Sequence, residues 1–176
     1  MSISPEATVK LAVLVPLAIS VTYHDVRYRR IPNMLVLSAL ISGLVINSVF
    51  GGWHGLGSSL LGFGLGFVPM LLLHIFGAMG AGDVKLFGAV GTILGVSVMP
   101  TTLILVAMLG GVLAIYTTLR AGTMFSTLHG VFRIFVGILP GWEMPRFAMA
   151  PDRRHTIPYG VAIMVGSLIS AAMFRV

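Results

Sequence analysis

The chain of 176 residues holds five acids: Glu6, Asp25, Asp83, Glu143 and Asp152. Asp25 opens the run Asp-Val-Arg-Tyr-Arg-Arg-Ile-Pro-Asn (25–33), and Asp83 closes Gly-Ala-Gly-Asp (80–83). Both stand beside long apolar stretches, where a carboxylate is costly to desolvate and needs a reason to be present. Two carboxylates that meet cannot both ionise cheaply and tend to share one proton. The ionised member can take a proton from a water molecule attacking a carbonyl carbon. The protonated member can donate to the oxygen or amine on which charge develops. Such a pair hydrolyses an amide without a metal. The bland alternatives are a helix cap by Asp83 and a salt bridge from Asp25 to Arg27, Arg29 or Arg30.

The elements that would carry these acids are membrane helices. Hydrophobic residues make up 57% of the chain and charged ones 9%, with mean hydropathy +1.01. A water-soluble domain normally carries about 25% charged residues. Too little polar surface exists to cover a soluble globule, so the composition reads as one compact membrane domain. The net charge of +6 belongs to membrane topology, since the basic residues flank apolar runs; nucleic acid is not an expected partner. Cysteine is absent, which excludes disulfides and thiolate metal sites. The run Leu11–Tyr23 lacks a small-residue cleavage site behind it and reads as a first span, not a signal peptide.

Residues 34–82 contain no Asp, Glu, Lys or Arg. As one helix they would extend about 74 Å, against a hydrocarbon core of about 30 Å. The chain must therefore fold back, and Gly51-Gly52-Trp53-His54-Gly55 is the place for it. Residues 86–119 are likewise uncharged, with a reversal expected at Ser97–Thr101, where Pro100 suits a helix start. The prediction is an all-α integral membrane protein with six helices near 5–23, 34–50, 56–77, 84–98, 101–119 and 157–174. The connections 24–33, 78–85 and 120–156 hold nine of the eleven basic residues. The positive-inside rule places them in the cytoplasm and both termini outside. The apolar segment Met124–Leu139 reads as an interfacial helix in the last of these connections. Small residues spaced four apart, Gly62 with Gly66 and Gly88 with Thr92, point to close helix packing.

The GxGD signature at 80–83, the DxRxxxIPN run at 25–33 and the Ile-Pro-Tyr-Gly segment at 157–160 occur in the order found in type IV prepilin peptidases. The chain resembles that bacterial branch of the GxGD aspartyl proteases across nearly its whole length. The resemblance implies catalytic aspartates at Asp25 and Asp83, with Gly80, Gly82, Lys85, Pro158, Tyr159 and Gly160 as supporting or substrate-binding residues. It implies no cofactor and no metal. It also implies that the leader of a prepilin or pseudopilin is cleaved at the cytoplasmic face of the bacterial inner membrane, the substrate helix entering from the lipid. Gly80 and Gly82 are expected to open backbone conformations closed to other residues and to let a substrate strand approach. Lys85 could instead hold a lipid phosphate. Bifunctional relatives carry a cysteine-motif insertion and N-methylate their product. A cysteine-free chain with about ten residues between its first two spans resembles the short, peptidase-only members that serve Flp (Tad) pili. The rivals are a small transporter, which would place acids near the midplane of paired halves, and a non-catalytic assembly component. The sequence fixes no oligomeric state.

Overall fold

The computed structural model describes residues 4–122 and 159–174, which are helical with short connections and contain no strand. The predicted interfacial helix at Met124–Leu139 lies outside the described residues.

Helix α1 (Pro5–Tyr28) starts where the sequence supplies a cap. The Ser4 hydroxyl accepts from the Ala7 N–H at 3.1 Å, Pro5 stands at the start and Glu6 lies in the first turn. It ends at Arg29, which adopts the left-handed conformation at φ 51° and donates its N–H to the Asp25 carbonyl at 3.0 Å. No breaker stands between His24 and Tyr28, so the helix continues past residue 23, and Asp25 sits in its closing turns rather than after them. Pro32 then disfavours helix at Ile31.

Helix α2 (Asn33–Ile75) runs for 43 residues but departs from helical geometry at Gly52, where φ is 55° and ψ is −138°. Glycine reaches that region without a Cβ clash. The chain reverses there. Gly55 packs on the backbone of Asn47, and the Ser59 hydroxyl donates to the Gly43 carbonyl at 3.3 Å. In a straight helix residues 43 and 59 would lie about 24 Å apart. α2 is thus a hairpin of two arms, 33–51 and 53–75, with Trp53 86% exposed at the turn.

Helices α3 (Ala81–Leu94), α4 (Met99–Ala121) and α5 (Tyr159–Phe174) complete the bundle. Every residue of α3 from Leu86 to Leu94 is buried, because the α2 hairpin packs along it and α5 closes another side. α3 is the central post. The other helices turn large apolar side chains outward, among them Ile19, Leu60, Ile104, Met108 and Ile169. Among the described residues, three helices are long and apolar enough to cross a membrane, namely α1, α2 and α4; α5 is apolar but shorter.

Lipid is as apolar as leucine, so burial of hydrocarbon gives little reason for these helices to associate; close backbone approach and interhelical hydrogen bonds must do it. Both are present. A Cβ on Gly62 would strike the Gly91 carbonyl, and one on Gly91 would strike Gly62. Gly66 lies on the Phe87 carbonyl, 2.7 Å from where its Cβ would stand. Beside this seam, the buried Asn47 amide donates to the carbonyls of Gly43, Thr92 and Ile93 at 3.2, 2.7 and 3.2 Å. The Ser59 hydroxyl reaches Thr92 O at 2.8 Å, and the Thr92 hydroxyl reaches Leu40 O at 3.3 Å. Asn47 therefore ties the hairpin to the carbonyl end of the post. Asn47→Ala should cost about 1–2 kcal/mol, by analogy with other interhelical bonds in lipid, and thermal unfolding in detergent should register a lower midpoint.

Candidate active site

Asp25 and Asp83 come from elements far apart in sequence and meet at one end of the bundle. The turn of α2 at Gly52 lies at the other end. Asp25 sits near the close of α1 and is buried, with 7% of its surface exposed. Asp83 occupies the third residue of α3, whose preceding cap position is Gly80. From there its carboxylate reaches back toward the Gly80 N–H, as an acid does in a capping box. Asp83 thus lies in the first turn of α3, where an acid complements the helix dipole, and that position does not exclude another role. The two aspartates lie within electrostatic reach of each other.

Both line one cavity of about 370 Å³, which Gly80, Gly82 and Lys85 also border. At the share of roughly 30 Å³ that a water molecule takes in the liquid, it holds about a dozen waters. Ile31 and Asn33 of the DxRxxxIPN run border it as well, and so do Arg29 and Arg30. From the sequence these arginines are expected to set topology or to pair with Asp25, and not to line a cavity. The motif itself was the signal, since Ile31–Asn33 returns the chain to the mouth after α1 ends. Lys85 is exposed at the rim. The Arg29 charge lies within electrostatic reach of Asp25.

The glycines behave differently from the expectation. Gly80 has φ −73°, and neither it nor Gly82 has a positive φ. A Cβ on Gly82 would stand 3.6 Å from Ile31, an ordinary contact. The residue of this connection that does take a left-handed conformation is Gly77, at φ 78°. Gly80 matters through space instead, since its Cβ would stand 3.0 Å from Asp83 Oδ2. Gly160 plays the same part for the other acid, its Cβ position being 2.8 Å from Asp25 Oδ2. The N–H groups of Gly160 and Val161 approach the Asp25 carboxylate, though Oδ2 makes no hydrogen bond of good geometry. Each acid therefore lies close beside a glycine, where an added Cβ would crowd its carboxylate.

Tyr159 is half-buried on α5 and close enough to Asp83 to feel its charge. Pro158 lies outside the described residues. His24 and His74 spend Nδ1 locally, on Ser20 O and Met79 O, each at 2.8 Å. Among the described residues no three His, Asp or Glu side chains converge.

A model described as the type IV leader peptidase family matches residues 12–115. The chain is 33% identical over 122 residues to a prepilin leader peptidase/N-methyltransferase of Pseudomonas putida, covering 62% of this chain and 41% of that protein. It is 31% identical over 121 residues to the protein of that name from Neisseria gonorrhoeae, covering 65% and 42%. It is 26% identical over 162 residues to the one from Bacillus subtilis, covering 90% and 53%. The chain thus spans about half the length of these curated relatives. No solved structure matches it.

Proposed function

Because the chain belongs to the type IV leader peptidase family, we propose that it is a membrane aspartic endopeptidase that removes the leader from type IV prepilins, with Asp25 and Asp83 as its catalytic pair. The observation that carries this reading is that the two acids line one cavity at one end of the bundle. One carboxylate activates water against the scissile carbonyl while the other, protonated, donates to the departing amine. A shared proton and nearby peptide N–H groups provide the electrostatics.

We read α1, the two arms of α2, α3, α4 and α5 as six crossings of the bacterial inner membrane. The end bearing the cavity faces the cytoplasm, since the basic residues Arg29, Arg30 and Lys85 border the cavity there. The substrate is a prepilin or pseudopilin of the Flp (Tad) type, and the activity is peptidase without N-methyltransferase. The absence of cysteine and the four-residue connection between α1 and α2 support that narrower reading.

The test is reconstitution into vesicles with a leader-bearing Flp-type prepilin. Cleavage on the leader side of the apolar helix is expected, and failure to cleave any type IV prepilin would overturn the reading. The rate should be bell-shaped in pH, since one proton on the pair is productive. Activity should fall on the acid side as the pair takes up a second proton. It should fall on the alkaline side as the shared proton leaves. A rate that rises to a plateau with pH would contradict proton sharing.

A further inference from the structure

The first two residues of α5 meet α4 as well as Asp25. A Cβ on Gly110 of α4 would stand 2.5 Å from Cε1 of Tyr159, 3.1 Å from Cζ and 3.2 Å from its hydroxyl oxygen. The tyrosine ring therefore lies in a notch that only a missing side chain creates. Gly111, the next residue, has nothing within 4 Å of its Cβ position. One residue beyond Tyr159, Gly160 abuts the Asp25 carboxylate. Lower on the same helix pair, a Cβ on Gly166 would stand 2.7 Å from Cγ2 of Val106 on α4. The α4–α5 contact is thus pinned at two levels, and the upper pin is covalently adjacent to the residue that presses on Asp25.

We propose that Gly110 and Tyr159 form a brace that positions Asp25 through Gly160, so that α4, which carries no acid, sets the geometry of the pair. Consecutive Cα atoms are about 3.8 Å apart, so a ring displaced from its notch carries Gly160 with it. Tyr159 acts as a positioning residue, through packing, and it also lies within electrostatic reach of Asp83. The inference rests on the peptidase reading for its kinetic readout, and it has a second readout that does not.

The experiment compares Gly110→Ala with Gly111→Ala in the full-length reconstituted protein. Gly111→Ala should cleave prepilin like the parent. Gly110→Ala should lower kcat about tenfold to a hundredfold with KM within about twofold, as misplacement of a reacting group does, and its pH–rate profile should shift. Tyr159→Ala removes the ring without adding bulk and should also lower kcat with KM unchanged. Adding Gly110→Ala to it should cost nothing more, because no ring remains to displace. Independently of cleavage, labelling of Asp25 by a carboxyl-reactive carbodiimide, read by mass spectrometry, should be faster in Gly110→Ala than in Gly111→Ala. Equal labelling and equal kcat in the two alanine variants, or additive losses in the double variant, would overturn the brace. A parent protein that fails to cleave prepilin, with labelling still different between the variants, would sink the peptidase reading and leave the brace standing.

Discussion

Asp25→Asn and Asp83→Asn should each lower leader cleavage by at least about a thousandfold, with the double variant little worse than either single one. The magnitude follows from groups that act as a unit, where losing one member forfeits most of what the set supplies. Asparagine matches aspartate in shape, so the cavity and its glycine contacts keep their form. What is lost is the ability to hold and pass a proton. At position 83 the amide oxygen can still face the Gly80 N–H, so α3 keeps its cap. Helical content and elution from a sizing column should be unchanged, while cleavage of a prepilin in vesicles should vanish. Retention of a tenth of the parent rate by either variant would mean that the acid concerned is structural. The capping role of Asp83 would then be its whole role.

The largest effect on folding is expected at the seam between the α2 hairpin and α3. Gly62→Val places branched carbon where the Gly91 carbonyl stands, and that obstacle is backbone with no rotamer to yield. Overpacking a rigid contact typically costs up to about 3 kcal/mol, occasionally more. In lipid, apolar burial cannot compensate, so the helices must separate. Gly64→Ala on the same arm is the comparison, because its Cβ would meet nothing within 4 Å. It should be neutral or stabilising by up to about 1 kcal/mol, as alanine is the better helix former. Thermal unfolding in detergent should separate the two variants by many degrees. Similar midpoints would show that α2 and α3 are not held by this seam.

Much of this arrangement was legible in the residue order. A charge-free run too long for one crossing demanded the reversal at Gly51–Gly55, and the departure from helix occurs at Gly52. The small-residue spacing marked the seam, because no other residue type lets two backbones approach so closely. The neighbourhood of Asp25 and Asp83 was legible from ordered motifs, which single acids would not have given. Other features left no trace along the chain. Asn47 and Ser59 are uncharged polar residues within long apolar runs, and their partners are backbone carbonyls, which every residue has. Gly110 lies among small residues of α4 that look alike until Tyr159 fills the space beside one of them. The backbone freedom expected at Gly80 and Gly82 is not used; glycine announces freedom of backbone and absence of side chain with the same letter. At Gly80 the second is used.

The reversal at Gly52 has a consequence in parity. Between Asp25 and Asp83 the chain makes two passes through the bundle, one along each arm of α2, and an even number returns it to the end from which it left. Fifty-eight positions of separation thereby become adjacency. One pass more or one pass fewer would set the acids at opposite ends of the bundle, however well each was capped or pressed against its glycine. A backbone torsion at one exposed glycine, in a turn lacking any charged residue, thus decides whether the two carboxylates can share a proton.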